Sequence, residues 1–204
     1  MIKLEPGFYY HIYNHANGDE DIFKEERNYL YFLDKYKKYI YPIAEIFAYC
    51  LMKNHFHLLV RIRENREKIQ TSNGTETSDV LKTSDVLVPS DVSNAFKNLF
   101  QSYTKAINKA YDRKGSLFIQ HFKRKQIESD LQFQNALIYI NMNPVIHGFC
   151  SKPEQWKFSS FNAYSELNKG TLLDIKRGTE LFDNHENFIK CHSISRAERY
   201  DEPH

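Results

Sequence analysis

The heptapeptide Asn54-His55-Phe56-His57-Leu58-Leu59-Val60 constrains this fold more than any other stretch of the chain. Its apolar and β-branched run reads as a buried strand, and alternate side chains of a strand share a face. His55 and His57 therefore point the same way, with Leu59 following them. Phe56, Leu58 and Val60 take the opposite face. Two neutral imidazoles converging at one end of a strand make half of a metal site. Histidines with ordinary partners inside a sheet give the same pattern, so the pair alone leaves both readings open.

The flanking sequence supplies the rest of a sheet. Phe8 to Tyr13 follows the Pro6-Gly7 breaker and reads as a first strand. A polar, turn-rich loop leads to a helix over Glu25 to Ile40, with Tyr29, Phe32, Leu33 and Tyr36 at helical spacing and Pro42 ending it. Ile43 to Met52 reads as a second strand, joined by the short turn Lys53-Asn54 to a third at His55 to Ile62, a hairpin with the histidines at its start. Asp91 to Tyr111 carries Val92, Phe96, Leu99, Phe100, Tyr103, Ile107 and Tyr111 on one side of a long amphipathic helix. Leu117 to Ile127 suggests a fourth strand. Leu131 to Met142 suggests a helix stopped by Pro144, and Asn184 to His192 a short terminal one. The order predicts an α+β domain, an antiparallel sheet with packed helices of ferredoxin-like character. We place this domain at 1–164 and a C-terminal extension at 165–204.

A segment from about 65 to 90 breaks the pattern. Thr77-Ser78-Asp79-Val80-Leu81 returns as Thr83-Ser84-Asp85-Val86-Leu87 and, degraded, as Pro89-Ser90-Asp91-Val92. The unit is too short for a solenoid, and the stretch reads as a mobile surface insertion.

Charge is informative only locally. The chain has 204 residues, with 28 Lys+Arg against 26 Asp+Glu and a net charge of +2. Lys97, Lys105, Lys109, Arg113, Lys114, Lys123, Arg124 and Lys125 cluster against one acid, Asp112. Such a face is the footprint of a nucleic-acid partner, and equally of a solvated helix. The three cysteines, Cys50, Cys150 and Cys191, show no paired spacing, which argues against a disulfide framework or zinc ribbon. No signal peptide and no run of the roughly 20 apolar residues of a membrane span are evident, so a reducing cytoplasm is the expected setting.

Far downstream, Tyr139 and Asn143 lie four apart and share a helical face. A core tyrosine and a helix-capping asparagine would look the same. The pieces taken together, however, resemble a family. The Asn54 to Val60 segment is similar to the HUH signature of histidine, hydrophobic residue, histidine. Its combination with Tyr139-x-x-x-Asn143-Pro144-Val145-x-His147-Gly148 resembles the single-tyrosine HUH transposases, and more closely their REP-associated tyrosine transposase branch. Phe8-Tyr9-Tyr10-His11-Ile12-Tyr13-Asn14, Gly115-Ser116-Leu117-Phe118 with Phe122-Lys123-Arg124, and Trp156-Lys157-Phe158-Ser159-Ser160-Phe161 extend the likeness over roughly residues 7 to 164. Gln120-His121 departs from the Arg-Pro more often found there, and Asn141 from a frequent histidine.

The resemblance implies an HUH endonuclease domain that cuts and rejoins single-stranded DNA beside a hairpin. Tyr139 matches the nucleophile, which would form a 5′-phosphotyrosine link and release a 3′-OH. His55 and His57 match two metal ligands and Asn143 the third, for Mg²⁺ or Mn²⁺. Lys105, Lys109, Arg113, Lys114, Lys123, Arg124 and Lys125 would track DNA phosphates. Related insertion-sequence enzymes work as dimers, so a homodimer is one assembly the resemblance allows. Two other readings remain from different classes: a module that binds hairpin nucleic acid without cutting it, and a metal phosphodiesterase with no covalent step.

Overall fold

A computed structural model describes residues 2–65, 87–166 and 172–192. Strands β1 (Tyr9–His15), β2 (Ala44–Leu51), β3 (His55–Ile62) and β4 (Lys123–Ile127) form one antiparallel sheet in the order β2-β3-β1-β4. This is the expected α+β architecture, with the ferredoxin-like strand order. The repeat-bearing insertion lies almost wholly outside the described residues. At its far end Leu87 is buried and its N–H donates to the Glu64 carbonyl at 3.1 Å.

The sheet has two covered faces. Tyr10, Ile12, Phe56, Leu58, Val60 and Ile62 meet helices α1 (Glu26–Tyr39) and α2 (Pro89–Ala110) in one core. Phe23, Phe32, Phe96 and Tyr103 fill it, each fully buried, and each such aromatic contributes about 1.5–3 kcal/mol. The other face carries Leu59, Cys50 and Phe47 against α3 (Asp130–Ile146). An irregularity between Ile46 and Ala48 on β2 lets Phe47 join this second face.

Helix α3 departs from the sequence expectation. It starts where Ser129 accepts a hydrogen bond from the Gln132 N–H, but it runs through Pro144 to Ile146. A proline costs a helix one N–H bond and a steric clash one turn back. Only the final turn lies beyond Pro144, and the Gly148 N–H returns to the Val145 carbonyl at 3.0 Å to close it. The helix is buried on nearly every side from Ala136 to Pro144. An amphipathic pattern is absent because two layers enclose it, the sheet on one side and a C-terminal layer on the other.

That layer comprises α4 (Phe161–Ser165), α5 (Ile175–Glu180) and α6 (His185–Cys191). The last is the expected terminal helix, one residue shorter at each end. Phe161, Tyr164, Phe182 and Phe188 pack with α3 in the second core. Residues beyond 164 thus contribute to the same core as the sheet. The expected fourth strand is shorter than Leu117 to Ile127. Its first half forms irregular chain, with a single bridge from Phe118 to Ala16 and a left-handed backbone at His121.

One contact tests whether α5 belongs to the fold. Gly178 is buried, and a Cβ there would overlap the hydroxyl of Tyr164, which donates to the Phe47 carbonyl at 2.6 Å. Gly178→Ala is expected to destabilise the protein by about 1–3 kcal/mol through overpacking, read by chemical denaturation. An unchanged midpoint would mean that α5 does not pack on Tyr164.

Candidate functional site

The pairing of β1 with β3 sets Tyr13 opposite His57 and His15 opposite His55. Residues directly opposite in a sheet share a face, so His11, Tyr13 and His15 join His55 and His57 on the α3 side. Helix α3 answers with Tyr139 and Asn143, four apart, and His147, the residue that caps its C-terminus, follows four further on. The sequence-predicted Tyr139, His55, His57 and Asn143 therefore come together at one place. His55 and His57 lie with ring centroids 5.1 Å apart, and the Tyr139 ring is edge-on to His57 at 5.6 Å.

Asn143 is not a helix cap. It is fully buried, and its Oδ1 lies 2.9 Å from His55 Nε2. Among the described residues its Nδ2 has no hydrogen-bond partner. On its other side, His55 Nδ1 lies 2.8 Å from Asn54 Oδ1. Burial pushes the His55 pKa down to about 4; the Asn143 contact opposes this, and the neighbouring His15 and His147 add to it. A neutral imidazole carries one N–H. If Nδ1–H donates to Asn54, the Nε2 lone pair faces an amide oxygen, and two acceptors at 2.9 Å repel unless a cation joins them or the amide is turned over. The other tautomer, with Nε2–H donating to Asn143 Oδ1, removes that conflict, and a divalent ion held between the two atoms would also remove it.

His57 is fully buried, and its pKa is held well below the usual range, chiefly by burial and then by His11, His55, His15 and His147. Its Nδ1 meets His11 Nε2 at 2.9 Å. These rings are 30° from coplanar with centroids 5.1 Å apart, an end-on contact rather than face-to-face packing. His15 lies nearly parallel to His55 at 4.7 Å, and His147 lies 5.2 Å from it. Five imidazoles thus gather at this end of the sheet. Among the described residues no three His, Cys, Asp or Glu side chains are arranged to hold an ion. The side chains that could hold one are the imidazoles of His55 and His57 and the Asn143 amide, completed by groups from outside.

His11, His15, His147 and Asn54 were not singled out from sequence as site residues. Two signals mark them in retrospect. His147 continues the Tyr139, Asn143 spacing by one more turn. The alternation Tyr9, His11, Tyr13, His15 gives β1 the same polar face that β3 has.

The predicted basic residues divide. Lys123 pairs with Tyr13 and Lys125 with His11 across β4 and β1, so both lie on the imidazole face. Lys125 is close enough to join burial in lowering the His11 pKa to about 3. Arg124 takes the opposite face, half-buried, its guanidinium 4.2 Å from the centre of the Phe122 ring. Lys105, Lys109 and Lys114 are exposed along or just after α2. Arg113 is committed locally. It pairs with Glu20 at 2.8 Å, donates to the Ser116 carbonyl at 3.1 Å, and contacts Asn108.

Comparison with known proteins agrees with the resemblance read from the motifs. No family model matches the chain. A curated protein of Haemophilus influenzae (strain ATCC 51907 / DSM 11121 / KW20 / Rd), named "Putative REP-associated tyrosine transposase", is 29% identical over 124 residues, which is 60% of this chain. The match spans 61% of that relative's length. A solved structure described as "Structure of the REP associates tyrosine transposase bound to a REP hairpin" aligns with a TM-score of 0.55 at 15% identity, covering 84% of this chain and 87% of that one. The chain therefore has the fold of a REP-associated tyrosine transposase. No described helix is long and apolar enough to cross a membrane.

The commitment of Arg113 has a measurable consequence. Arg113→Ala is expected to lower the thermal midpoint, because it strips three neighbours of their partner, whereas Lys114→Ala should leave it unchanged. Equal midpoints for the two variants would contradict a structural role for Arg113.

Proposed function

We propose that the protein is a single-tyrosine transposase-type enzyme that nicks and rejoins single-stranded DNA beside a hairpin. One observation carries this reading: α3 delivers Tyr139 and Asn143 to the face of β3 that bears His55 and His57. The relative and the solved neighbour support the substrate class, since the neighbour is described as bound to a REP hairpin.

In this reading the Tyr139 oxygen attacks the scissile phosphorus as the phenol gives up its proton. The bond from phosphorus to the 3′-oxygen breaks, and that oxygen takes a proton to leave as a 3′-OH. The phosphotyrosine link keeps the phosphodiester's energy, so a later 3′-OH reverses the step without a nucleotide cofactor. His55, His57 and Asn143 would hold a divalent cation, Mg²⁺ or Mn²⁺, which supplies charge to polarise the phosphate. Tyr13, beside His57 with rings 5.6 Å apart, and His11 wall the site and exclude water. Lys123 and Lys125 border the same face and can meet DNA phosphates there.

Tyr139 is only 5% exposed, which favours a second reading in which the domain binds hairpin DNA without cutting it. Trapping an adduct separates the two. Wild-type protein with labelled single-stranded, hairpin-bearing DNA and Mn²⁺ should give a band that survives denaturant. Tyr139→Phe should fold and bind but give none, and His55→Ala or His57→Ala should give little. An adduct of full yield in Tyr139→Phe would refute the nucleophile; neither adduct nor cleavage from wild type would support the binding-only reading, and cleavage without an adduct a phosphodiesterase with no covalent step.

The basic residues give a separate prediction. Replacing Lys123 and Lys125 with Ala should flatten the slope of log K against log salt by roughly 1.5, about 0.7–0.9 per phosphate lost. Arg124→Ala should change it less, since its side chain lies on the other face. A larger effect from Arg124 would place the DNA path on the α1/α2 side.

A further inference from the structure

We propose that residues 119–121 form a base-reading ledge at the rim of the site, a role that rests on the single-stranded DNA reading above. Ile119 seats the base of a nucleotide beside the scissile phosphate, and Gln120 and His121 reach that base's edge.

Strand register places the ledge. With Tyr13 opposite Lys123, an unbroken ladder would set Ala16 opposite Gln120, yet Ala16 bridges Phe118. Between these points Asn14 alone faces Gln120, His121 and Phe122, so two residues are extruded. Phe122 keeps its place on the α2 side of the sheet, its ring 5.2 Å from Phe96 and 5.4 Å from Phe100. The extruded pair is therefore Gln120 and His121, both exposed, with a left-handed backbone at His121. Bulges re-aim side chains and concentrate at sheet edges and beside active sites. This one is held in place. Asn14 is buried; its Nδ2 donates to the Ile119 carbonyl at 3.1 Å, and its Oδ1 accepts the His15 N–H at 2.9 Å. The Ile119 N–H donates to the His15 carbonyl at 3.0 Å, and the Asn17 N–H to the Leu117 carbonyl at 2.9 Å. A buried amide is costly without such bonds, so the contacts that satisfy Asn14 also fix the ledge.

The same register sets what the ledge faces. Beyond the bulge Ile119 lies opposite His15, and His15 lies opposite His55. Opposite residues share a face, so His55, His15 and Ile119 make one row across the imidazole face. His57, Tyr13 and Lys123 make the next. Ile119 stands two strand spacings from His55, about 10 Å. It is 45% exposed, although Leu117 and Phe118 before it are buried. A single exposed apolar side chain is ordinary on a surface. This one ends a row that begins at a proposed metal ligand, beside a lysine that borders the phosphate path. An unpaired base offers an apolar face and an edge of donors and acceptors. Isoleucine suits the face, and a glutamine amide and an imidazole suit the edge. The lysines hold phosphate, which carries no sequence.

A pool of hairpin-bearing single strands, randomised over the four nucleotides beside the hairpin, tests the ledge through binding and sequencing, with no need for cleavage. Strands retained by wild-type protein should favour one base at one or two of these positions, by about 5- to 150-fold, the discrimination of a good side-chain–base pair. Gln120→Ala with His121→Gly, where glycine accepts the left-handed backbone, should keep most of the total binding and flatten the preference. Gln120→Ala alone removes an exposed side chain without touching the core, and should flatten it in part. Lys125→Ala should do the reverse, weakening binding to every strand while the favoured bases stay the same. Retention by wild type without base preference, or an unchanged preference in the double variant, overturns the ledge and leaves the DNA reading in place. Wild-type protein that retains no strand refutes the DNA reading and the ledge with it.

Discussion

The antiparallel pairing of β1 with β3 is the constraint on which the site depends. It runs in register from Tyr9 opposite Arg61 to His15 opposite His55. A slip of one residue turns every side chain of a strand to the other face. It would send His11, Tyr13 and His15 into the aromatic core under α1 and α2, and Tyr10 and Ile12 onto α3. The hydrophobic pattern that makes the sheet is therefore also what assembles the imidazoles. Backbone bonds at the hairpin turn lock the end where they gather: Ala16 N–H to the Asn54 carbonyl at 2.7 Å, and Phe23 N–H to the Lys53 carbonyl at 2.9 Å.

The other half of the site depends on how α3 is held. Apolar packing fixes its distance from the sheet but resists sliding only weakly, and polar stitches supply the register. Ser160 donates to Asn141 Oδ1 at 2.5 Å and lies 3.0 Å from the Tyr49 N–H that donates to it. Asn141 Nδ2 meets His192 Nε2 at 3.1 Å, and His192 Nδ1 lies 2.8 Å from the Phe188 carbonyl. This chain ties β2, α3 and α6 together two residues from both Tyr139 and Asn143. Buried networks of this kind cost much when incomplete and specify one arrangement when satisfied. The departure at Asn141 from the histidine more often found there thus has a structural partner in the C-terminal layer.

Much of this was legible in the sequence, for physical reasons. Period-two alternation around His55 and His57 and the 3.6-residue stripe of α2 are strong signals, and the order of elements follows from them. Tyr139 and Asn143 could be joined to the histidines through the family motif, not through spacing. The misses also have causes. Pro144 reads as a helix stop, but a proline near a helix end sacrifices little, and enclosure by two layers sustains the final turn. Leu117 to Phe122 has strand-like residues yet, among the described residues, meets only the end of β1 through a bridge from Phe118 to Ala16, so propensity yields to context. The roles of His11 and His15 depend on a cross-strand register that no single segment contains. Arg113 and Arg124 carry the same charge as their neighbours, and only the fold shows one paired with Glu20 and the other turned to Phe122.

The electrostatics of the site connect its two proposed ligands. Neighbouring histidines lower the pKa of His55 and of His57, Asn143 opposes this at His55, and Lys125 stands beside His11 on the same face. Neutral nitrogen and oxygen donors attract a divalent ion through their dipoles, without the Coulombic gain of a carboxylate. A phosphate brings the missing negative charge, and it answers the lysines as well as the ion. In the proposed reaction, then, the cation and the DNA each raise the affinity of the other, as linkage requires of any such pair.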